Sequence, residues 1–136
     1  MPVFSLPSAE GIGTLGKNAY RFVDWMQESG AKIWQVLPLL PTGYGDSPYQ
    51  SCASDALNHY FIDLEMLVEE GLLEKSDLLV DWGEERKIDY GKLFQEKVSI
   101  LKKAYLNFEY FARIDLVNGY DPKRSYYKNT LSFYML

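Results

Sequence analysis

The chain has 136 residues, of which 47% are hydrophobic and 24% charged, and its formal net charge is -5. This composition is typical of a soluble globular domain with a buried core. The acidic balance argues against a nucleic-acid or anionic-membrane surface, because both partners are themselves negatively charged. No apolar stretch approaches the roughly 20 residues of a membrane-spanning helix. The single cysteine, Cys52, and an N-terminus without a signal-peptide pattern indicate a cytoplasmic protein without an intrachain disulfide.

The first part of the chain predicts a strand, a helix and a second strand. Residues 3–6 form a short apolar candidate strand. From Thr14 to Gly30 apolar residues recur every three or four positions, which predicts a helix. Thr14 is the expected N-cap and Gly30 the left-handed residue that ends the helix. The apolar run 33–40 ends at prolines and favours a buried strand. This order is that of a βαβ unit with a right-handed connection.

Two further helices are predicted in the second part of the chain. Asp63 is the expected N-cap of a helix that ends at Gly71. Residues 72–86 show no clean period and are predicted to be irregular. Asp89 opens the strongest helical pattern of the chain. The apolar face of that helix is predicted to consist of Leu93, Phe94, Val98, Leu101, Ala104, Tyr105 and Phe108.

Residues 41–50, with the sequence PTGYGDSPYQ, directly follow the predicted second strand. Two glycines, two prolines and an Asp-Ser pair predict a turn-rich loop at the C-terminal end of that strand. In α/β architectures this edge of the sheet holds ligands. The two tyrosines offer flat apolar faces with polar tips, and the neighbouring Asp and Ser can form hydrogen bonds. The loop is therefore a candidate carbohydrate site.

Several linked motifs resemble the N-terminal part of the 4-alpha-glucanotransferases, also called amylomaltases or disproportionating enzymes. The motifs spread over residues 5–71, and a weaker one, DYG, follows at residues 89–91. In chain order they are SLPS at 5–8, GIGTLG at 11–16, AYRFVD at 19–24, WQVLPL at 34–39, PTGYGDSPYQS at 41–51 and YFIDL at 60–64.

The resemblance implies an α/β fold. Residues 1–111 would form the first βα units of a (β/α)8 TIM barrel of the α-amylase-like superfamily, and residues 112–136 a divergent tail. It also implies transfer of an α-1,4-glucan segment to a 4-hydroxyl acceptor by a retaining double displacement, with an Asp nucleophile and a Glu acid/base. The implied partners are maltooligosaccharides and α-1,4-glucans, and the chemistry requires no organic cofactor or metal.

The resemblance also suggests roles for residues of the loop. It matches Tyr49 to a tyrosine that stacks in the donor-side sugar subsite, Ser47 to a position on the acceptor side, and Tyr44 to an aromatic residue at the cleft edge. Asp46 shares this motif, and we expect its side chain to cap local backbone N–H groups. No catalytic residue is assigned, because the family's catalytic carboxylates belong to later barrel strands. The expectation is therefore an inactive piece of the enzyme, such as a truncated or frameshifted gene product.

Other interpretations of the sequence stay open. The chain could be a catalytically inactive carbohydrate-binding or vestigial α/β unit. It could also bind phosphate through the glycines of residues 11–16, although the acidic residue and context of a dinucleotide fingerprint are poorly met. His59 and Asp55 replace residues usual in the family, and we interpret His59 as structural. Cys52 is interpreted as a small buried residue.

Overall fold

The computed structural model describes residues 1–51, 53, 56–84 and 86–118, with side chains described through residue 110. Within these ranges the regular elements are helical. The α-helices are α1 (Lys17–Glu28), α2 (Leu64–Glu69), α3 (Tyr90–Lys92) and α4 (Val98–Asn118). A π-helical turn, Leu93–Lys97, joins α3 to α4. Short 3-10 turns cover Val3–Ser5, His59–Phe61 and Lys75–Leu78.

The two predicted strands are not present, and the described residues contain no β-strand. Residues 3–5 form a 3-10 turn instead, closed by a hydrogen bond from the Leu6 N–H to the Val3 carbonyl. Residues 33–40 have no regular secondary structure, and Ile33 is 84% exposed rather than buried. The physical reason is the lack of a partner, because a strand is defined by hydrogen bonds to a neighbouring strand. The predicted βαβ unit is therefore not confirmed by the described residues.

Helix α1 ends as the sequence predicts but begins later. Gly30 has a φ of 78°, and the N–H groups of Gly30 and Ala31 donate to the carbonyls of Gln27 and Met26. These two bonds form a Schellman motif. The N-cap is Gly16 rather than Thr14. Thr14 is buried, and its hydroxyl donates to an Asp63 carboxylate oxygen at 2.6 Å, so a distant partner has replaced the local cap.

The predicted cap Asp63 is confirmed, and Asp89, where the last helical pattern is predicted to begin, also acts as a cap. The Asp63 carboxylate accepts from the Met66 N–H at 2.9 Å, and the Asp89 carboxylate accepts from the Lys92 N–H at 3.0 Å. Each bond satisfies a backbone donor that has no partner inside its helix. Gly71 has a φ of 74° and follows Glu70, the C-cap of α2.

The π-helical turn changes which side chains the last helix buries. A π-helical turn contains one more residue than an α-helical turn. It therefore rotates the side chains of α3 relative to those of α4. Leu93 is fully buried, but Phe94 is 68% exposed, so its predicted place on the apolar face is wrong. Lys97, which the sequence pattern leaves on the polar side, is fully buried.

Two groups of buried residues form the core. The first lies between α2 and α4 and consists of Leu64, Leu67, Leu72, Leu73, Leu101, Ala104 and Phe108. The second packs the N-terminal segment against α1 and the start of the last helix and consists of Val3, Leu6, Ile12, Ala19, Tyr60, Phe61 and Leu93. Trp82 contacts both groups and so connects them. No helix in the described part of the chain is both long and apolar enough to cross a bilayer.

Part of the predicted tail lies outside the structure's description. The backbone of α4 continues through Asn118, past the expected boundary at residue 111. Residues 119–136, Cys52 and Asp55 lie outside the described residues, and so do the predictions that concern them.

Candidate functional site

Backbone hydrogen bonds give residues 41–50 a defined shape. The Gly43 N–H donates to the Gln50 carbonyl at 3.0 Å, which closes the base of the loop. Inside the loop, the Asp46 N–H donates to the Gly43 carbonyl at 3.2 Å, and the Gln50 N–H donates to the Ser47 carbonyl at 3.1 Å. The loop therefore consists of two consecutive tight turns, as the Gly, Pro, Asp and Ser content predicts.

Asp46 lies at the join of the two turns and adopts an unusual backbone conformation. Its φ is 54°, and Gly45 before it has a φ of 94°. Aspartate tolerates the left-handed region better than most residues, and glycine enters it without a steric cost. The Asp46 carboxylate accepts from the Thr42 hydroxyl at 3.4 Å. We expected backbone N–H donors for this carboxylate, but its recorded partner is a side chain four residues earlier.

The two tyrosines of the loop point outward. Tyr44 is fully exposed and Tyr49 is 73% exposed, whereas Ser47 is half-buried. The Tyr49 N–H donates to the Ser47 hydroxyl oxygen at 3.4 Å. Both aromatic faces are therefore accessible to a flat apolar ligand such as a pyranose ring.

A small cavity is lined partly by residues of the loop, and neither exposed tyrosine contributes to its lining. Its volume is about 20 Å³, and Thr42, Asp46, Pro48, Asn58 and Tyr90 contribute to its lining. This is room for about one water molecule and not for a sugar ring.

A buried phenol, Tyr60, and a half-buried one, Tyr90, lie near the loop base. Burial raises the pKa of Tyr60 and of Tyr90, and the Asp46 carboxylate raises both further. Their rings are 6.3 Å apart. Both phenols therefore keep their protons at neutral pH and can act as hydrogen-bond donors toward the loop base.

The sequence did not predict that Asn58, Tyr60 and Tyr90 support the base of the loop. The Asn58 N–H donates to the Leu39 carbonyl at 2.7 Å, and the Asn58 side chain accepts from the Tyr60 N–H at 3.0 Å. These bonds connect the segment before the loop to the 3-10 turn that carries Tyr60. The available signals were Asn58 directly before an aromatic pair and the weak DYG motif that contains Tyr90.

The loop does not hold a pair of catalytic carboxylates. Retaining glycoside chemistry needs two carboxyl groups about 5–5.5 Å apart. Residues 41–50 contain one, Asp46, which bonds to Thr42. No group of three His, Cys, Asp or Glu side chains among the described residues is placed to hold a metal ion.

The N-terminal glycines pack against protein and do not enclose a ligand. A β-carbon on Gly13 would overlap the Val3 carbonyl, and one on Gly16 would overlap the Asp63 carboxylate. The negative charge of Asp63 therefore lies next to the N-terminus of α1. An anion is disfavoured at this position, which argues against the phosphate-binding interpretation.

His59 has the surroundings of a structural residue. It is half-buried, and its ring lies 4.3 Å from that of Tyr60. Burial and the nearby Lys97 charge lower the pKa of His59 to about 4. The imidazole is therefore neutral at physiological pH, as the structural interpretation requires.

Comparison with known proteins identifies a family. Residues 1–125 match the family model of 4-alpha-glucanotransferase, glycoside hydrolase family 77. A 4-alpha-glucanotransferase of Clostridium butyricum is 50% identical over 110 residues, which cover 79% of this chain and 23% of that protein. One of Aquifex aeolicus is 42% identical, and the match covers 98% of this chain and 27% of that protein. Both the family match and the Aquifex match continue past residue 112, where the motifs alone show no resemblance.

A solved structure gives the same result. The amylomaltase of Streptococcus agalactiae, determined in complex with acarbose, superposes with a TM-score of 0.76 at 44% identity. The match covers 79% of this chain and 22% of that protein. The chain thus spans about a quarter of the length of the relatives it matches.

Proposed function

Because this chain belongs to the 4-alpha-glucanotransferase family, we propose that it forms part of an enzyme that moves a segment of an α-1,4-glucan to the 4-hydroxyl group of glucose or another glucan. We further propose that residues 1–111 contribute the first βα units of a (β/α)8 barrel. The cytoplasm is the proposed location, and the single cysteine is consistent with a reducing compartment.

The proposed role of this chain is to bind the glucan through the loop of residues 41–50. Tyr49 stacks on a donor-side sugar, Ser47 contacts the acceptor side, and Tyr44 contacts the chain at the cleft edge. Asp46 holds the two turns together through Thr42. The observation that carries this proposal is the pair of exposed tyrosines on a loop with a fixed backbone, in a chain of this family.

In the proposed mechanism these residues bind and orient the substrate. A retaining double displacement needs an Asp that forms the glycosyl-enzyme and a Glu that first donates and then removes a proton. The family resemblance assigns neither group to these 136 residues. We therefore expect no transferase activity from this polypeptide alone. Incubation with maltotriose tests this, and the appearance of glucose together with longer maltodextrins would contradict it.

Binding by the loop is tested separately from catalysis. Maltoheptaose is titrated into the polypeptide while the tyrosine signals are followed by NMR. We expect saturable shifts for Tyr49 and Tyr44, and no comparable shifts with ATP. Loss of stacking in Tyr49→Ala is expected to weaken binding by about 1 kcal/mol or more, the usual worth of an aromatic contact. Tyr20→Ala is the matched control, because Tyr20 is 62% exposed but lies on α1.

A catalytically inactive carbohydrate-binding protein is the second candidate function. The exposed tyrosine pair favours it, because stacking needs no carboxylate. The two candidates differ once the rest of the family's sequence is supplied. Glucan transfer by the completed protein supports the enzyme, whereas glucan binding without transfer supports the binding protein.

A further inference from the structure

The small cavity beside the loop of residues 41–50 brings together polar residues from distant parts of the chain. Thr42 and Asp46 belong to the loop, Asn58 directly precedes the 3-10 turn His59–Phe61, and Tyr90 is the first residue of α3. The other lining residues are apolar. A bound water needs about one water volume of space and about two to four polar partners. With a volume of about 20 Å³, this cavity offers both.

The Asp46 carboxylate can accept more hydrogen bonds than the loop gives it. A carboxylate has room for about four donors. Asp46 is half-buried, and the recorded partner of its carboxylate is the Thr42 hydroxyl at 3.4 Å. This distance is long, because two oxygen atoms that share a hydrogen bond usually lie about 2.7–2.8 Å apart. A half-buried carboxylate with one long hydrogen bond is stabilised by a second donor.

Tyr90 offers such a donor from a fixed part of the molecule. The cap formed by Asp89 holds the first turn of α3, and the Tyr90 ring packs against the second group of buried residues. Burial and the Asp46 charge raise the pKa of Tyr90, so its hydroxyl keeps a proton to donate. Among the described residues, no direct hydrogen bond joins this hydroxyl to Asp46, although both residues line the cavity. One water molecule can span such a gap at little cost in energy.

We propose that the cavity binds one water molecule, which accepts from the Tyr90 hydroxyl and donates to the Asp46 carboxylate, and that Tyr90 is thereby a positioning residue for the loop. Asp46 lies between Tyr44 and Tyr49 in the chain, and its φ of 54° sets the direction of the backbone that carries both. A bridge to the core stabilises this left-handed conformation, which is unfavourable for a residue with a β-carbon. Tyr90 thus acts on glucan binding through the loop. Only this effect on affinity rests on the proposed function.

The test compares Tyr90→Phe with Tyr105→Phe, because each substitution removes one hydroxyl and keeps the ring. Both phenols are half-buried, and Tyr105 is the matched control because its hydroxyl donates to Glu109 on α4. Amide NMR signals of residues 43–50 are recorded without sugar, and maltoheptaose is then titrated. We expect Tyr90→Phe to shift the Asp46 signal and to weaken binding about fivefold, within the range of one hydrogen bond. Tyr105→Phe is expected to change neither.

A double-variant comparison separates the water bridge from a general loss of packing. Asp46→Gly permits the left-handed backbone and removes the acceptor of the bridge. In the Asp46→Gly background, Tyr90→Phe is therefore expected to cause no further change in the loop signals or in affinity. Effects of the two substitutions that simply add overturn the proposal, as do loop signals that are the same in Tyr90→Phe and in the unchanged chain.

A crystal structure of the unchanged chain, at a resolution that shows ordered water, tests the bridge directly. We expect a water within hydrogen-bond distance of the Tyr90 hydroxyl and of the Asp46 carboxylate. A direct bond between the two side chains, or a cavity without water, overturns the proposal. Shifted loop signals in Tyr90→Phe, together with no binding of maltoheptaose by any variant or by the unchanged chain, support the positioning role and contradict only the proposed glucan binding.

Discussion

The Lys97 ammonium lies 2.8 Å from the Glu10 carboxylate, and both side chains are buried. The other oxygen of Glu10 accepts from the N–H groups of Leu64 and Glu65, at the start of α2. One carboxylate therefore joins the N-terminal segment, α2 and the π-helical turn. Burial raises the pKa of Glu10 and lowers the pKa of Lys97, and the opposite charge of the partner opposes each shift.

We predict that Lys97→Met destabilises the chain strongly. The substitution leaves the Glu10 carboxylate buried without its cation, and breaking a buried pair in this way costs about 3–5 kcal/mol. Urea denaturation at neutral pH measures the free energy of unfolding. The double variant Glu10→Gln with Lys97→Met is the control, because it removes both charges and keeps an acceptor oxygen near α2. The double variant should be more stable than Lys97→Met alone, and the opposite order would contradict the buried-pair interpretation.

A second prediction concerns the contact between Gly16 and Asp63. Gly16→Ala forces a β-carbon into the Asp63 carboxylate and should destabilise the chain by about 1–3 kcal/mol or more, as overpacking does. Gly30→Ala is the comparison, because a β-carbon there meets open space and only the φ of 78° is unfavourable. That conformational cost is about 1 kcal/mol. Thermal unfolding ranks the two, and a smaller loss for Gly16→Ala would be evidence against the close contact.

A third prediction concerns pH and His59. The pKa of His59 is about 4 in the folded chain and 6.5 in the ordinary case, so the unfolded chain binds a proton more readily. The stability linked to His59 is therefore complete above pH 6.5 and is lost as the pH falls toward 4. The loss is about 3 kcal/mol at most.

The contribution of His59 is measured by comparing how the free energy of unfolding depends on pH in the unchanged chain and in His59→Gln. Many carboxylates titrate in the same range, so urea unfolding of the unchanged chain and of His59→Gln is followed from neutral to acidic pH. We expect the unchanged chain to lose more stability over this interval than the variant loses. Parallel profiles would show that His59 does not contribute to the acid sensitivity.

The helix ends could be predicted from the sequence because their causes are local. Asp63 and Asp89 cap the residues that directly follow them, and Gly30 and Gly71 supply the left-handed backbone that ends a helix. The absence of a strand at residues 33–40 could not be predicted in the same way, because strand formation depends on a partner. Thr14 failed as an N-cap for a related reason: its hydroxyl bonds to Asp63, 49 residues later.

In the candidate site, too, the features with local causes could be predicted and those that depend on distant residues could not. The double turn follows from the Gly, Pro, Asp and Ser content of residues 41–50, and the exposure of Tyr44 and Tyr49 follows from their place in it. The layer beneath the loop comes from contacts between distant segments, such as the charge of Asp46 near Tyr90. The burial of Lys97 depends on the π-helical turn, which shifts the helical register that the sequence pattern assumes.

The bond between Glu10 and the start of α2 constrains the order of folding. Helix α2 has six residues, which is too short to be stable alone in water. Its N-terminal donors find their acceptor in Glu10, 54 residues earlier, and the cation for that acceptor lies 87 residues from Glu10. Large loops must therefore close before α2 gains its full stability. We accordingly expect α2 to form late, and folding of this helical chain to be slower than that of a bundle with local contacts.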